Sequence, residues 1–416
     1  MTLVQGHCDP KFAKLRDLMH EFLASGQDIG CSLCVNLHGA PNVVDLWGGH
    51  ADAAGTTPWT RSTIVAVFSA TKLVTNLAAA MLLSRGLLRA DDPVVRHWPG
   101  FAAADVTVGQ VLAHTAGLCA WGDDVTLADI FDATGAAERL ARQAPLWPPG
   151  TAMGYHGLTQ GVLVAELVRR VTGLSIDCFI AQEVCAPLGS DADFQLGYRA
   201  RDADRVAPVV APPGPSIREL RSRLPGFHPH SLAARTICNP ELLASDANSA
   251  LWRASVQPSA NGHTNARALV KILSCYALGG VCAGGSHRLL SPETVALVFG
   301  EHARGVDLVL GTPGRRGLGV YLTGEGSGRQ GKLPDGRVAW GSGWGGSFVV
   351  MDADRGMTMA YTMNRMVNGE NPSAAAFVKA VYDALGVQLD DKAHDNQHMH
   401  EEQIFPKGIR KNQERL

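Results

Sequence analysis

Ser69 and Lys72 stand three residues apart, which puts them one turn apart on one face if the segment is helical. A hydroxyl with an amine beside it is the start of an acyl-transfer nucleophile: a neutral amine takes the proton as the oxygen attacks a carbonyl. The setting favours a neutral amine. Between Arg61 and Arg85 the only ionisable side chain is Lys72. Leu73, Leu77, Ala80 and Met81 recur at helical spacing and Val74, Ala78 and Leu82 fill a second face, so the helix is expected to be buried nearly all round. Burial disfavours the charged form of a lone lysine. Ser69 follows the β-like run 63–68, which places it at the helix N-terminus. Its own N–H there has no intrahelical acceptor, and the helix dipole favours negative charge. The same residues admit a plainer role, with Ser69 as a cap and Lys72 snorkelling to the surface. On Ser-x-x-Lys alone the two readings stand level. Of the nine lysines, only Lys72 has a serine three residues before it.

Such a nucleophile needs a proton shuttle and a second oxyanion donor. Tyr155 is the candidate shuttle, delivered by the rigid turn Trp147-Pro-Pro-Gly150. Next to an ammonium its phenol is expected to acidify, so that Tyr155 and Lys72 share one proton. A core tyrosine with a satisfied hydroxyl is the competing reading, slightly favoured on spacing alone. The stretch Trp340-Gly-Ser-Gly-Trp-Gly-Gly-Ser347 is expected to open a strand, bring backbone close to a ligand and supply the second N–H. Trp340 and Trp344 would wall the acyl pocket; a Gly-rich turn with two packed tryptophans is the alternative. Other hydrolase and nucleotide plans are missing: there is no Gly-x-Ser-x-Gly, His-Glu-x-x-His, Walker loop or dinucleotide fingerprint.

The elements around these residues follow from periodicity. A helix is expected over 10–24, and strands over 31–38 and 43–50 flank a turn at 39–42. A short helix over 106–112 stops before His114, which reads as a helix-end histidine with local hydrogen bonds. Helices are expected over 158–172, ended by Gly173, and over 178–184 and 267–277. Residues 200–262 are irregular, with Pro208, Pro212, Pro213 and Pro215 crowding one loop before a basic patch at Arg218, Arg221 and Arg223. A stretch of that length suits a lid or binding loop. Strands are expected over 317–323, 344–351 and 357–363, the last two joined by a turn at 352–356, then a closing helix over 373–385. The resulting α/β (α+β) organisation has one lobe from 1–68 and 263–387, with a mainly antiparallel sheet flanked by helices. A mainly helical lobe spans 69–262, its last third cap-like, and a polar tail runs over 388–416. Ser69 then lies between the lobes, where clefts form.

The chain has 416 residues, enough for a large core, and a net charge of −2, which argues against nucleic acid as a partner. The first residues lack a basic and an apolar region, and no apolar run reaches membrane-spanning length, so a cytoplasmic location without membrane association is expected. The cysteines number nine, odd and without paired spacing, as suits a reducing compartment. Cys31 and Cys34 read as strand residues. His394, His398 and His400 in the tail read as solvated, and no metal or cofactor is expected.

Taken together, Phe68-Ser-Ala-Thr-Lys72, Arg85-Gly-Leu-Leu-Arg-Ala-Asp-Asp-Pro93, His114-Thr-Ala-Gly-Leu118, Pro149-Gly-Thr151 leading to Tyr155, and the final Gly-rich strand resemble class C β-lactamase-like serine hydrolases in content and order. Val4-Gln-Gly-His7, Asp45-Leu-Trp-Gly-Gly49 and Pro58-Trp-Thr60 look most like the family VIII carboxylesterases of that group. The resemblance covers about residues 4–387 and implies the β-lactamase/transpeptidase-like fold. It also implies an acyl-enzyme on Ser69, Lys72 and Tyr155 as the base pair, and an oxyanion hole from the N–H groups of Ser69 and Trp344. Trp121, His156, Gly157, Trp340, Gly341, Ser342 and Gly343 would then line the substrate pocket. The sequence departs from the family where β-lactamases carry Tyr-x-Asn and Lys-Thr-Gly: here stand Gly157 and Gly341-Ser342-Gly343. Without that amide and that cation the expected substrate is a weakly charged carboxylic ester, apolar or aromatic, lactones included. A β-lactamase, a D-Ala peptidase-like amide hydrolase or an acyltransferase to an alcohol is the alternative. The expected partner is that small molecule, with homo-oligomerisation left open.

Overall fold

The computed structural model describes residues 4–222, 227–228, 230–285, 287–328 and 332–389, so the tail histidines and Arg223 lie outside the described residues. Nine strands form one sheet, in the order β1 (Gln5–Cys8), β3 (Ala40–Gly49), β2 (Gly30–Leu37), β13 (Met357–Met363), β12 (Phe348–Asp352), β11 (Val338–Ser342), β10 (Tyr321–Leu322), β9 (Pro313–Arg316) and β8 (Ala303–Val306). Neighbours in it are antiparallel throughout. The helices that bear on the site are α1 (Ala13–Ser25), α2 (Thr71–Ser84), α3 (Thr159–Thr172), α4 (Leu232–Ile237), α5 (Ala266–Ala277) and α6 (Pro372–Ala384).

β12 and β13 are buried along their whole length because helices cover both faces. On one face α1 and α6 meet through Phe22 and Phe377, whose ring centres are 5.4 Å apart, and Phe377 rests on Tyr361 of β13. On the other face α5 starts at Asn265, whose side chain caps it, and the Ala266 N–H donates to Ser32 Oγ of β2. Arg267 in the first turn of α5 makes a bidentate pair with Asp45 of β3, at 2.7 and 2.8 Å, and both residues are buried. Removing one partner strands the other charge. Arg267→Met is therefore expected to cost about 3–5 kcal/mol of stability in urea unfolding, and the pair Arg267→Met, Asp45→Leu to recover most of it.

A second sheet holds β5 (Gln195–Leu196), β7 (Gly262–Thr264), β4 (Ile64–Ala66) and β6 (Val206–Ala207), with β4 antiparallel to β7 and parallel to β6. The sequence suggests only one sheet, since strands two or three residues long show no alternation. This sheet delivers the chain into the turn Phe68–Ala70 and then α2. Two further expectations are corrected. The β2–β3 turn is His38–Gly39, not 39–42. Both residues have positive φ (50° and 81°), as a two-residue hairpin wants, while Pro41 and Asn42 belong to β3 beside a register shift. Residues 340–342 end β11 instead of opening a strand, and β12 begins only at Phe348.

Candidate active site

α2 carries the site. Thr71 to Leu82 are all buried, and Lys72 is 6% exposed, with no carboxylate among its contacts. Lys72 Nζ lies 3.1 Å from Ser69 Oγ and donates to the Ser259 carbonyl at 2.9 Å. The Tyr155 hydroxyl donates to the same Ser69 Oγ at 2.6 Å, and Lys72 Nζ sits 5.0 Å from the Tyr155 ring centre. The three side chains thus meet at one oxygen. Burial, and secondarily the Arg316 cation, pushes Lys72 well below the ordinary lysine value of 10.5. The phenol departs from expectation: burial pushes Tyr155 up, outweighing the opposing effects of Ser69 and Arg316. Both shifts favour a neutral amine beside a protonated phenol, matching a hydroxyl that donates to Ser69.

The nucleophile's backbone is strained. Phe68, just before Ser69, has φ +44°, a left-handed value that a bulky residue rarely takes. What holds it is packing: the Phe68 ring meets Trp344 edge-on at 5.3 Å and Trp252 at 5.9 Å. The end of β11 presses on this turn with no room to spare. A Cβ on Gly343 would fall 1.9 Å from the Val67 carbonyl oxygen and 3.4 Å from Ala70 N. That contact sets Gly343, and with it the start of the Trp344 peptide, against the turn that carries Ser69. Among the described residues nothing accepts a hydrogen bond from the Trp344 N–H. Gly343→Ala must lift the strand off the turn, and an ångström of misplacement costs about 10²-fold in rate. We expect a loss of that order in kcat/KM; Gly157→Ala, whose Cβ meets nothing closer than 3.5 Å, serves as the comparison that shifts rate far less.

The pocket residues divide. Gly341, Gly343 and Trp344 border the Ser69 turn, since a Cβ on Gly341 would meet Leu73 of α2. Gly157 lies beside the Tyr155 ring and Thr236 of α4. Ser342, on the alternate face of β11, points with Phe348 toward a small cavity near Asn371 and Ala374. Trp340 shares that face, stacked on Tyr321 at 4.4 Å and near Phe348 at 5.7 Å, and does not wall Ser69. Trp121 and His156 are corrected outright. Trp121 is buried and donates to the Ala136 carbonyl. His156 is fully buried, with Nε2 accepting from the Leu118 N–H and Nδ1 on the Gly154 carbonyl. Burial holds its imidazole neutral, pushed down to about 4.

Four residues to which the sequence reading gives no catalytic role complete the site. His114 Nδ1 accepts from the His156 N–H and its ring lies 5.3 Å from Tyr155, so this helix-end histidine braces the shuttle. Ser259 gives Lys72 its carbonyl, while its hydroxyl accepts from Gly161 N and donates to the Leu158 carbonyl, threading a fully buried polar loop between α2 and α3. Residues 257–261 are thus scaffold, not cap. Asp307 Oδ1 accepts from the N–H groups of Tyr155, Val309 and Leu310. Arg316 of β9, bonded to Asp307 Oδ2 at 2.9 Å, is a buried cation 5.7 Å from the Tyr155 ring centre, so the expectation of no cation near the site fails. Alternation in a four-residue strand gave no signal for it. Leu232 and Ile237 of α4 pack, as Tyr155, Leu308 and Leu310 do, against the small cluster of Cys119, Ala120, Trp147 and Val309, and Thr236 of α4 faces Gly157, so this part of 200–262 lies beside the site.

Comparison with known proteins agrees with this fold. Residues 15–383 match the Beta-lactamase family model. Esterase/beta-lactamase LipL of Mycobacterium tuberculosis is 33% identical over 380 residues, spanning 88% of this chain and 84% of that protein. The crystal structure of a family VIII carboxylesterase superposes with a TM-score of 0.83 at 33% identity, over 92% of this chain and all (100%) of that one. A penicillin-binding protein homologue from Caulobacter crescentus does so at 0.81 and 32% identity, with 92% and 100% coverage.

Proposed function

This chain belongs to the beta-lactamase family, and from that premise we propose that it hydrolyses carboxylic esters through an acyl-enzyme on Ser69. The observation that carries this reading is the convergence of Lys72 Nζ and the Tyr155 hydroxyl on Ser69 Oγ. Neutral Lys72 with Tyr155 takes the Ser69 proton as Oγ bonds to the ester carbon. The carbonyl oxygen, gaining charge, is held by the N–H groups of Ser69 and Trp344. The tetrahedral intermediate collapses, the alkoxide leaves, and the Lys72–Tyr155 pair returns the proton to it. Water then repeats the sequence on the acyl-enzyme, with the same pair as base and Ser69 as leaving group.

Substrate chemistry follows from the walls. Where an asparagine amide would project from position 157, Thr236 of α4 stands 3.5 Å from the site of a Cβ. Arg316, the buried cation near Tyr155, is 2% exposed and tied to Asp307, so it is not a dock for a substrate carboxylate. Beside the site, α4 contributes Leu232 and Ile237. An uncharged ester with an apolar or aromatic portion fits these walls, and a lactone is the case in which the leaving alcohol stays tethered. No single helix among the described residues is long and apolar enough to cross a membrane, and the cysteines are free; a cytoplasmic setting belongs to this reading.

The test is a phosphonate ester probe with mass mapping of the adduct, beside rates on p-nitrophenyl esters of rising acyl length, an aromatic lactone and a chromogenic cephalosporin. Labelling at Ser69 and ester turnover well above cephalosporin turnover are expected. Faster cephalosporin cleavage, or no adduct at Ser69, would overturn the proposal.

A further inference from the structure

We propose that Arg316, delivered by β9, is a positioning residue that holds the Tyr155 ring and biases the Lys72–Tyr155 pair toward the neutral amine that takes the Ser69 proton. The inference rests on the ester-hydrolase reading above and adds to it a residue outside the motifs.

The strand beside Ser69 offers no cation: its triplet is Gly341-Ser342-Gly343. Nor has it room for a long side chain on the face toward α2, since a Cβ on Gly341 would lie 2.8–3.0 Å from the Leu73 side chain. A positive charge reaches the neighbourhood by another route. The Arg316 guanidinium lies 3.9 Å from the Tyr321 ring centre and 5.7 Å from that of Tyr155, within cation–π range of both. Lys72 Nζ approaches the same Tyr155 ring at 5.0 Å, so an amine and a guanidinium address one phenol.

The placement is costly for a mere strut. Arg316 is buried, and its Nε has no hydrogen-bond partner among the described residues. Its single counterion, Asp307, splits its carboxylate: Oδ2 takes the guanidinium, and Oδ1 takes the Tyr155 N–H. One carboxylate therefore ties the cation and the shuttle's backbone into one unit. Among the described residues no carboxylate contacts Lys72, and the guanidinium acts on its ammonium form as a like charge. The other titratable groups packed around the pair are His114, held neutral well below the usual range by burial, and His156, likewise neutral; Tyr321, raised by burial, lies against the guanidinium. None of them supplies the missing negative charge.

The sign is fixed by this arrangement. Arg316 lowers the pH at which Lys72 loses its proton, so removing the cation moves the acid limb of the rate profile upward. Arg316→Met alone strands Asp307, so the working variant is Arg316→Met with Asp307→Asn. Asparagine keeps an Oδ1 acceptor for the Tyr155, Val309 and Leu310 N–H groups while shedding the charge. In kcat/KM against pH for a p-nitrophenyl ester, the double variant is expected to shift the acid limb up by about one unit, close to a tenfold loss on the acid side. Most of the rate returns on the alkaline side, and Arg316→Lys keeps the limb near that of wild type. A folded double variant with its limb unmoved, whatever its rate, would reduce Arg316 to a structural role and overturn the inference. The proposed function would survive that result as long as turnover still required Ser69; if the phosphonate fails to label Ser69, it is the function that falls.

Discussion

Ser69→Ala is expected to lower ester turnover by about 10⁴- to 10⁶-fold while leaving a folded protein. The size follows from where the hydrogen bonds go. Tyr155 and Lys72 both address Ser69 Oγ and no other side-chain oxygen, so deleting that atom idles the whole proton relay. What remains is the binding cleft and the backbone donors, which alone give a residual rate above water of about 10³–10⁴. Stability should change little. The strained Phe68 turn is held by the Trp344 and Trp252 rings and by the β11 backbone, none of which touches the hydroxyl. The check is a stopped-flow burst with a p-nitrophenyl ester alongside a thermal melt. A variant that retains its burst would remove Ser69 from the chemistry.

The three residues proposed as catalytic were in part legible for a local reason. Ser69 and Lys72 are fixed relative to each other by one turn of helix, and an apolar segment around a single lysine announces burial without any tertiary knowledge. For Tyr155 the rigid turn left a core tyrosine slightly favoured, and the family resemblance tipped the reading. Errors began where direction depended on packing. His156 follows Tyr155 directly, and in an extended segment neighbours point to opposite sides, so one in the cleft puts the other in the core. Trp340 and Gly341 repeat this lesson on β11. The fall expected in the Tyr155 phenol assumed a charged lysine beside it. With the ammonium form of Lys72 disfavoured, desolvation of the phenol dominates.

The residues missed altogether share one property: they reach the site across long sequence separations through short or irregular segments. Ser259 binds Lys72 through a backbone carbonyl, which no side-chain pattern reports. Arg316 and Asp307 come from a four-residue strand and a turn 9 residues apart, far from any motif. The second sheet was hidden likewise, its pairings joining 64–66 to 206–207 and 262–264.

Lys72→Met should separate activity from stability more cleanly than any other change. Methionine fills nearly the same volume and cannot accept a proton, so loss of the base is expected to cost about 10²–10⁴-fold in kcat. The stability effect depends on pH, and its sign can be worked out. In the unfolded chain Lys72 titrates near 10.5, and in the folded protein well below it, with burial as the main cause. Between those two values the unfolded state binds the extra proton, so stability rises with pH through that window and levels off above 10.5. The wild-type enzyme thus carries at neutral pH a penalty that fades toward alkaline pH, at up to about 1.4 kcal/mol per unit for this one group. The methionine variant lacks the titrating group. It does leave the Ser259 carbonyl without its lysine donor, a cost that does not vary with pH. The difference in unfolding free energy between wild type and Lys72→Met, followed by urea titration from pH 6 to about 10, should therefore climb in favour of wild type as pH rises. A flat difference would mean that Lys72 stays charged when folded, and a charged Lys72 could not be the base that opens the reaction.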